Sequence, residues 1–484
     1  MRRFEISQRI PDSPLVLPDS RRFAVGLPTT RAIRQSLSYT HILNLNRTTY
    51  DSICFYRELR RVCDSPMAES GEGNLAGRVA FTYPAFRLYE VARFFTVVSM
   101  EMLSVAVGWQ IYEITHRALD LGYVGLAQFL PGILLFLVSG HVADRFDRRK
   151  LLVVCYAGFG ICASLLLLVS LLHYRSVGPI YGVLILIGVV RSLNGPVSRA
   201  LLPQLVSEEH FQNAVAWHST IFQVGTILGP SLGGLIYAFF RGPSAVYAMS
   251  LASYILAILC TTFIKVKAKA RVREPINLKT VLAGIAYIWK QKVVLGSISL
   301  DLFAVLLGGA VALLPVYARE ILHTGPWGLG ILRSAPGVGA GAMAILLAYR
   351  PLKGRVGVTM LWCVSAFGVF TILFGISRSL IASLIALALV GASDMVSVVI
   401  RVTLVQVATP DAMRGRVNAV DMIFIGASNE LGQFESGLTA HWFGTVPSVV
   451  LGGIGTLVVT ALWAWWFPSL RRADSLTSNE NLAS

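Results

Sequence analysis

Gly125-Leu-Ala-Gln-Phe-Leu-Pro131-Gly132-Ile-Leu-Leu-Phe-Leu-Val-Ser-Gly140-His-Val-Ala-Asp144-Arg145-Phe-Asp147-Arg148-Arg149-Lys150 is apolar for most of its length and closes on two acids and four bases. A helix rises about 1.5 Å per residue, so such a run crosses a hydrocarbon core of about 30 Å and delivers its charges to the far surface. The same plan returns 205 residues later: Gly125 answers to Gly330, Pro131-Gly132 to Pro336-Gly337, and Arg145 and Arg148 to Arg350 and Lys353. Outward from that stretch the offset also carries Tyr112 onto Tyr317 and Asn213-Ala214-Val215 onto Asn418-Ala419-Val420. One constant shift over so long a stretch marks an internal duplication.

Composition agrees with a bilayer as the solvent. Hydrophobic residues make up 55% of the 484 and charged residues only 14%, with a mean hydropathy of +0.64, too little polar surface for water to cover. Apolar runs of span length are read at 88–114, 121–143, 151–172, 179–202, 214–239, 244–264, 293–318, 327–348, 358–377, 380–403, 416–438 and 446–467. The expected fold is an all-α integral membrane protein of twelve transmembrane helices in two parallel six-helix pseudo-repeats, 88–264 and 293–467. They are joined by a basic linker, 265–292, and flanked by segments 1–87 and 468–484. Within the linker, Ile285–Trp289 is expected to form an amphipathic turn at the interface.

The net charge of +16 is not a nucleic-acid footprint, because the bases stand in short clusters between apolar runs. Lys and Arg crowd the loops after the second, sixth, eighth and tenth spans, which places both termini and the linker in the cytoplasm. Residues 1–66 carry eleven Arg, no Lys and no span. Met67-Ala-Glu-Ser-Gly-Glu-Gly reads as a start, so 1–66 are expected to be a start-site artefact, with a cytoplasmic tail as the rival; the Asn46-Arg47-Thr48 sequon is read as chance. No signal peptide is visible. Six cysteines, with Cys155 and Cys162 on one helix face, show no metal-ligand spacing; neither metal nor cofactor is expected. No phosphate-binding Gly-rich loop and no nucleophile–base constellation stands out, which disfavours an ATP-driven pump and an enzyme.

Ionisable residues inside spans are costly unless paired or hydrated, so each is a functional candidate. Spans 1, 4, 7 and 10 carry Glu101, Arg191, Asp301 and Asp394, the set expected to line a central cavity and relay a proton or cation, with Asp301 first and Glu101 second as carrier. Fixed ion pairs that hold helices together are the alternative, strongest for Arg191. Asp421, Glu430 and Glu435 lie on span 11, and Asp421 and Glu430 are expected to serve loop bases; His218 is expected to have no coupling role. Of the aromatic residues Trp109, Tyr112, Trp217 and Tyr317, the repeat-related Tyr112 and Tyr317 are the candidates for stacking on substrate.

The loop Gly140, Asp144-Arg145, Arg148-Arg149 suits a charge latch at a helix end, and it resembles the signature loop of the major facilitator superfamily. In the second half Tyr349 stands where Asp144 would map, so any latch is expected to be stronger in the first. In span 5, Gly225-x-x-x-Gly229-Pro230-x-x-Gly233-Gly234 resembles the motif that marks exporters and antiporters there; physically, it permits close helix approach and a bend. Arg191-x-x-Asn194-Gly195 is similar to the superfamily's intramembrane Arg motif. Val107-Gly108-Trp109-Gln110-Ile111-Tyr112, Leu313-Leu314-Pro315-Val316-Tyr317, Arg414-Gly-Arg416-Val-Asn-Ala and Asn429-Glu430-Leu-Gly look like the enterobactin-exporter branch, which includes transmembrane secretion effectors and some multidrug exporters.

The resemblance implies a monomeric bacterial inner-membrane exporter that works by alternating access. A small amphipathic solute, siderophore or drug-like, would leave as protons enter. A lipid or lysophospholipid mover of the same fold is the runner-up; a non-transporting membrane sensor would need an effector domain.

Overall fold

The computed structural model describes residues 77–174, 176–265, 278–350, 352 and 354–473, so the start-site expectation for 1–66 lies outside the described residues. The first half comprises α1 (Pro84–Thr115), α2 (Ala118–Arg145), α3 (Arg148–Leu171), α4 (Gly178–Leu201), α5 (Phe211–Phe239) and α6 (Ser244–Thr262). A linker helix, α7 (Leu278–Lys290), leads to α8 (Lys292–Gly308). Then come α9 (Gly325–Tyr349), α10 (Val356–Ile376), α11 (Leu380–Ala408), α12 (Asp411–Phe443) and α13 (Thr445–Trp466).

Local chemistry sets the helix ends. Pro84 opens α1, where its missing N–H costs nothing. The Asp147 carboxylate accepts from the backbone N–H of Arg149 (2.9 Å) and Lys150 (3.1 Å) and so caps α3. His116 ends α1 in the left-handed region at φ 51°, and His173 and Arg241 follow α3 and α5 in the same way. A basic side chain there also faces the negative end of the helix dipole. Proline sits inside α2, α4, α5 and α9, at Pro131, Pro196, Pro230 and Pro336.

Eleven helical stretches among the described residues are long and apolar enough to cross a membrane, and no strand occurs among them. Left out of that count are the short α7 and the long α12, whose 33 residues include Asp421, Glu430 and Glu435. The latter is nevertheless packed along α2, α8 and α13 inside the bundle. Helix pairing is duplicated: α2 lies on α4 as α9 lies on α11, and α3 on α6 as α10 on α13. Between the halves, α5 packs on α9 and α2 on α12.

The structure adds detail to three of these readings. The span read as 293–318 is interrupted: α8 stops at Gly308, a 3-10 turn covers Ala310–Leu313, and a π-helical turn covers Tyr317–Ile321. Pro315, which has no N–H to donate, sits in the broken part, and the repeat has no counterpart for it in the unbroken α1. The linker forms a helix of 13 residues rather than one turn. That helix docks on the bundle, with the Tyr287 hydroxyl donating to the Ala408 carbonyl at 2.7 Å while Trp289 stays exposed. Finally, residues after 467 are not a free tail as far as they are described: Leu470 and Ala473 are buried, and the Gly357 N–H donates to the Ala473 carbonyl at 3.1 Å.

The halves meet most closely near the end that carries the connections after α1, α5 and α9's own start. A Cβ on Gly234 would stand 2.5 Å from the Pro326 carbonyl and 2.9 Å from Gly330 Cα. One on Gly437 would stand 2.7 Å from Gly122 Cα. Toward the opposite end Gly132 of α2 and Gly415 and Gly426 of α12 have nothing within 4 Å of that position.

Candidate functional site

α8, α11 and α12 bring four charges together in the second half. Asp301 is nine residues into α8, about 14 Å from its start. Asp394 and Arg401 are seven residues apart on α11, two turns along one face. Arg401 is 3% exposed; its Nη1 donates to Asp421 Oδ1 at 2.7 Å, and its Nε stands 3.5 Å from Asp301 Oδ2. Asp301 also lines, with Asp394, Ser393, Ser397 and Phe367, a small cavity of about 10 Å³. Asp301 thus stands between the guanidinium and the cavity. Loss of either partner of such a buried pair leaves the other stranded.

Arg401 is the residue that sequence reasoning missed. A span ended at 403 makes it a boundary base, whereas α11 continues to Ala408 and takes it well inside. The signal was present: a base seven residues after an intramembrane acid shares its helix face. Asp421 and Glu430, expected from sequence to serve loop bases, do not: their partners lie inside helices. Asp421 pairs with Arg401, and Glu430 Oε1 accepts from Arg191 Nη1 at 3.0 Å. The latter pair joins α4 to α12 across the halves, with Arg191 half-exposed and the other Glu430 oxygen taken by Gln433 at 3.1 Å.

Glu101 lies elsewhere, against the Gly-rich stretch of α5. A Cβ on Gly229 would come within 2.5 Å of Glu101 Cβ, and one on Gly233 within 2.9 Å of Met102 Cα. Gly225 does the same to Val97, at 2.8 Å, so three of the motif's glycines are the surface on which α1 seats, and Gly234 faces α9. Pro230 supplies the carbonyl that Gly330 approaches. Among the described contacts none links Glu101 to the Asp301 group.

The first half holds a second buried acid. Glu90 is 2% exposed, accepts or shares a proton with His218 Nδ1 at 2.7 Å, and stands 3.9 Å from Arg93. His218, set aside from sequence, therefore joins α5 to α1 by a hydrogen bond. Tyr112 reaches across the halves, its hydroxyl 3.4 Å from Glu320 Oε1. Its repeat mate Tyr317 does not face a cavity: it is fully buried against Phe374, with its hydroxyl donating to the Gly375 carbonyl at 2.8 Å. Burial in the core, with the polar atom satisfied, removes it from the stacking candidates.

In the loop after α2, Arg148 donates to the Ala200 carbonyl at 3.0 Å and Arg149 to the Thr262 carbonyl at 2.5 Å. They tie the start of α3 to the ends of α4 and α6, all within the first half. Gly140 is buried and Arg145 exposed, and the Asp144 side chain lies outside the described residues. Cys155 and Cys162 are buried packing residues of α3. No group of three or more His, Cys, Asp or Glu suited to a metal ion occurs among the described residues.

Comparison with known proteins follows the same lines. Residues 77–483 match the family described as transmembrane secretion effector. Enterobactin exporters EntS of Shigella boydii and Escherichia coli are each 29% identical over 396 residues, covering 81% of this chain and 94% of theirs. Among solved structures, the nucleoside transporter NupG superposes with a TM-score of 0.65 at 11% identity, over 79% of this chain and all of that one. The human organic anion transporter MFSD10 does so with 0.57 at 16% identity, over 78% and 99%. At these identities the structures speak for the fold alone.

Proposed function

This chain belongs to the transmembrane secretion effector family of the major facilitator superfamily, a family of transporters rather than enzymes, and from that premise we propose that it exports a small amphipathic solute in exchange for protons. The observation that carries the proposal is the group of three carboxylates, Asp301, Asp394 and Asp421, around the single guanidinium of Arg401. In low dielectric such an excess of negative charge calls for a further cation, and a proton is the smallest. Loading Asp301 weakens its hold on Arg401, which then rests on Asp421 alone. A change of partner at the meeting point of α8, α11 and α12 is a means of coupling proton binding to the packing of the second half.

Twelve crossings in two parallel repeats complete the proposal, with α12 as the polar eleventh span. The duplicated pairing of α2–α4 with α9–α11, and of α3–α6 with α10–α13, supports it. The loop charges favour both termini and the linker on the cytoplasmic side, and the exporters among its relatives favour a bacterial inner membrane. On that orientation the close contacts of Gly234 with Gly330 and of Gly122 with Gly437 seal the outer end, which corresponds to an inward-facing state of an alternating-access cycle. The enterobactin exporters among its relatives favour a siderophore-like cargo; the monomer is the working unit.

A lipid-like cargo has one observation of its own. Tyr123, Leu130, Pro131, Leu134, Tyr181 and Val189 help to line a groove of about 610 Å³ between α2 and α4, almost wholly apolar. An acyl chain would fit there.

The test is uptake into everted vesicles or proteoliposomes holding the full chain. A catecholate siderophore, a dye-like cation and a lysophospholipid are offered under an imposed pH gradient. We expect gradient-dependent transport of the first or second. Asp301→Asn is expected to lower it at least tenfold with normal amounts of folded protein, and normal coupled transport by that variant would remove Asp301 from the mechanism.

A further inference from the structure

The cavity beside Asp301 is furnished for more than a proton. We propose that Asp301, Asp394, Ser393 and Ser397 form a binding site for a sodium ion, which competes with the proton for the same carboxylates. This rests on the coupling role proposed for Asp301 and names a second ion for it.

Four observations converge. The walls offer only hard oxygen donors, two carboxylates and two hydroxyls, among the apolar side chains of Ala304, Val305, Val364 and Phe367. Oxygen ligands of that kind select alkali and alkaline-earth cations over softer metals. The Ser397 hydroxyl is buried, its residue 2% exposed, and it has no hydrogen-bond partner. A buried hydroxyl without a partner is rare and calls for one, and this one lines the cavity. The space is small, of the size that takes a single water or one bare ion.

Charge decides the valence. Arg401 is already held by Asp421 at 2.7 Å and reaches Asp301 only at 3.5 Å, so Asp394 has no basic partner among the ion pairs described. With three carboxylates against one guanidinium, two positive charges restore neutrality: a sodium ion and one proton, or two protons. A divalent ion pays about four times what a monovalent ion pays to leave water, since that cost grows with the square of the charge. The smaller sodium ion enters a cavity of this size with less displacement of its walls than potassium does.

Because the ion and the proton use the same oxygens, each displaces the other. The site therefore binds sodium best when the carboxylates are free of protons and loses it as pH falls.

The experiment measures thermal unfolding of the full-length protein in detergent, titrated with NaCl, KCl or choline chloride at constant ionic strength. Sodium is expected to raise the midpoint by several degrees in a saturable way at pH 8, with a smaller rise at pH 6 and none specific to potassium or choline. Asp394→Asn should abolish the sodium-specific rise and Ser397→Ala should weaken apparent affinity about tenfold, while the exposed loop variant Glu209→Gln keeps the wild-type response. Equal shifts with choline in the wild type, or a full sodium response in Asp394→Asn, overturn the site. Binding is read without transport, so proton-driven export with no sodium response refutes this site alone. A sodium response without proton-driven export refutes the antiport reading instead.

Discussion

At the scale of single residues the second half is organised by Arg401. Its guanidinium is the one base described within reach of Asp301 and Asp421, and it is almost wholly buried. Removing one partner of a buried ion pair costs about 3–5 kcal/mol, since the stranded charge keeps its desolvation penalty. Arg401→Met should therefore lower the thermal unfolding midpoint well below that of wild type, and adding Asp421→Asn should recover part of the loss. An unchanged midpoint for Arg401→Met would show that the guanidinium holds nothing. Asp301 and Asp394 were legible from sequence because an acid in an apolar run is conspicuous. Arg401 was not, because a base near a presumed helix end looks like a surface residue. Its identity as a core charge depends on where α11 ends, and helix ends are set by packing as much as by sequence. Tyr317 failed for the converse reason: repeat symmetry fixes its position along the helix, but the break after Gly308 alters what that position faces.

At the scale of elements the α5–α9 contact is the seam between halves. Ser231 and Ser334 share a hydrogen bond of 2.8 Å across it, Ser334 also reaches the Ile227 carbonyl at 2.6 Å, and Gln223 donates to the Gly337 carbonyl at 2.9 Å. Side chains in hydrogen-bond contact are near the separation that a disulfide needs. The double variant Ser231→Cys/Ser334→Cys should cross-link under mild oxidant, seen as dithiothreitol-reversible arrest of transport. Cross-linking that leaves transport intact would mean that this seam does not open during the cycle. The seam's glycines were readable from the spacing in span 5, and so was their role in close approach. That the three glycines Gly225, Gly229 and Gly233 serve α1 within one half, while Gly234 serves α9 in the other, was not readable. Which face of a helix meets which neighbour is a tertiary fact. Likewise α12 was placed by the repeat, against its own polarity; Asp421 and Glu430 are tolerated there because Arg401 and Arg191 meet them.

For the whole molecule, depth has an electrical consequence. Asp301 stands about 14 Å along α8 in a hydrocarbon layer about 30 Å thick, so an ion that reaches it from either face has crossed roughly half of the transmembrane field. A unit charge moved through the full field gains about 2.3 kcal/mol per 100 mV, and half that distance gains about 1 kcal/mol. Membrane voltage, and not the concentration gradient alone, then acts on the occupancy of this position. Ion-jump currents on a solid-supported membrane should appear with wild type and vanish with Asp301→Asn; persistent currents in that variant would place the charge movement elsewhere. With the cytoplasm negative, the voltage loads this acid when the site opens outward and unloads it when the site opens inward, even where the two sides share the same pH.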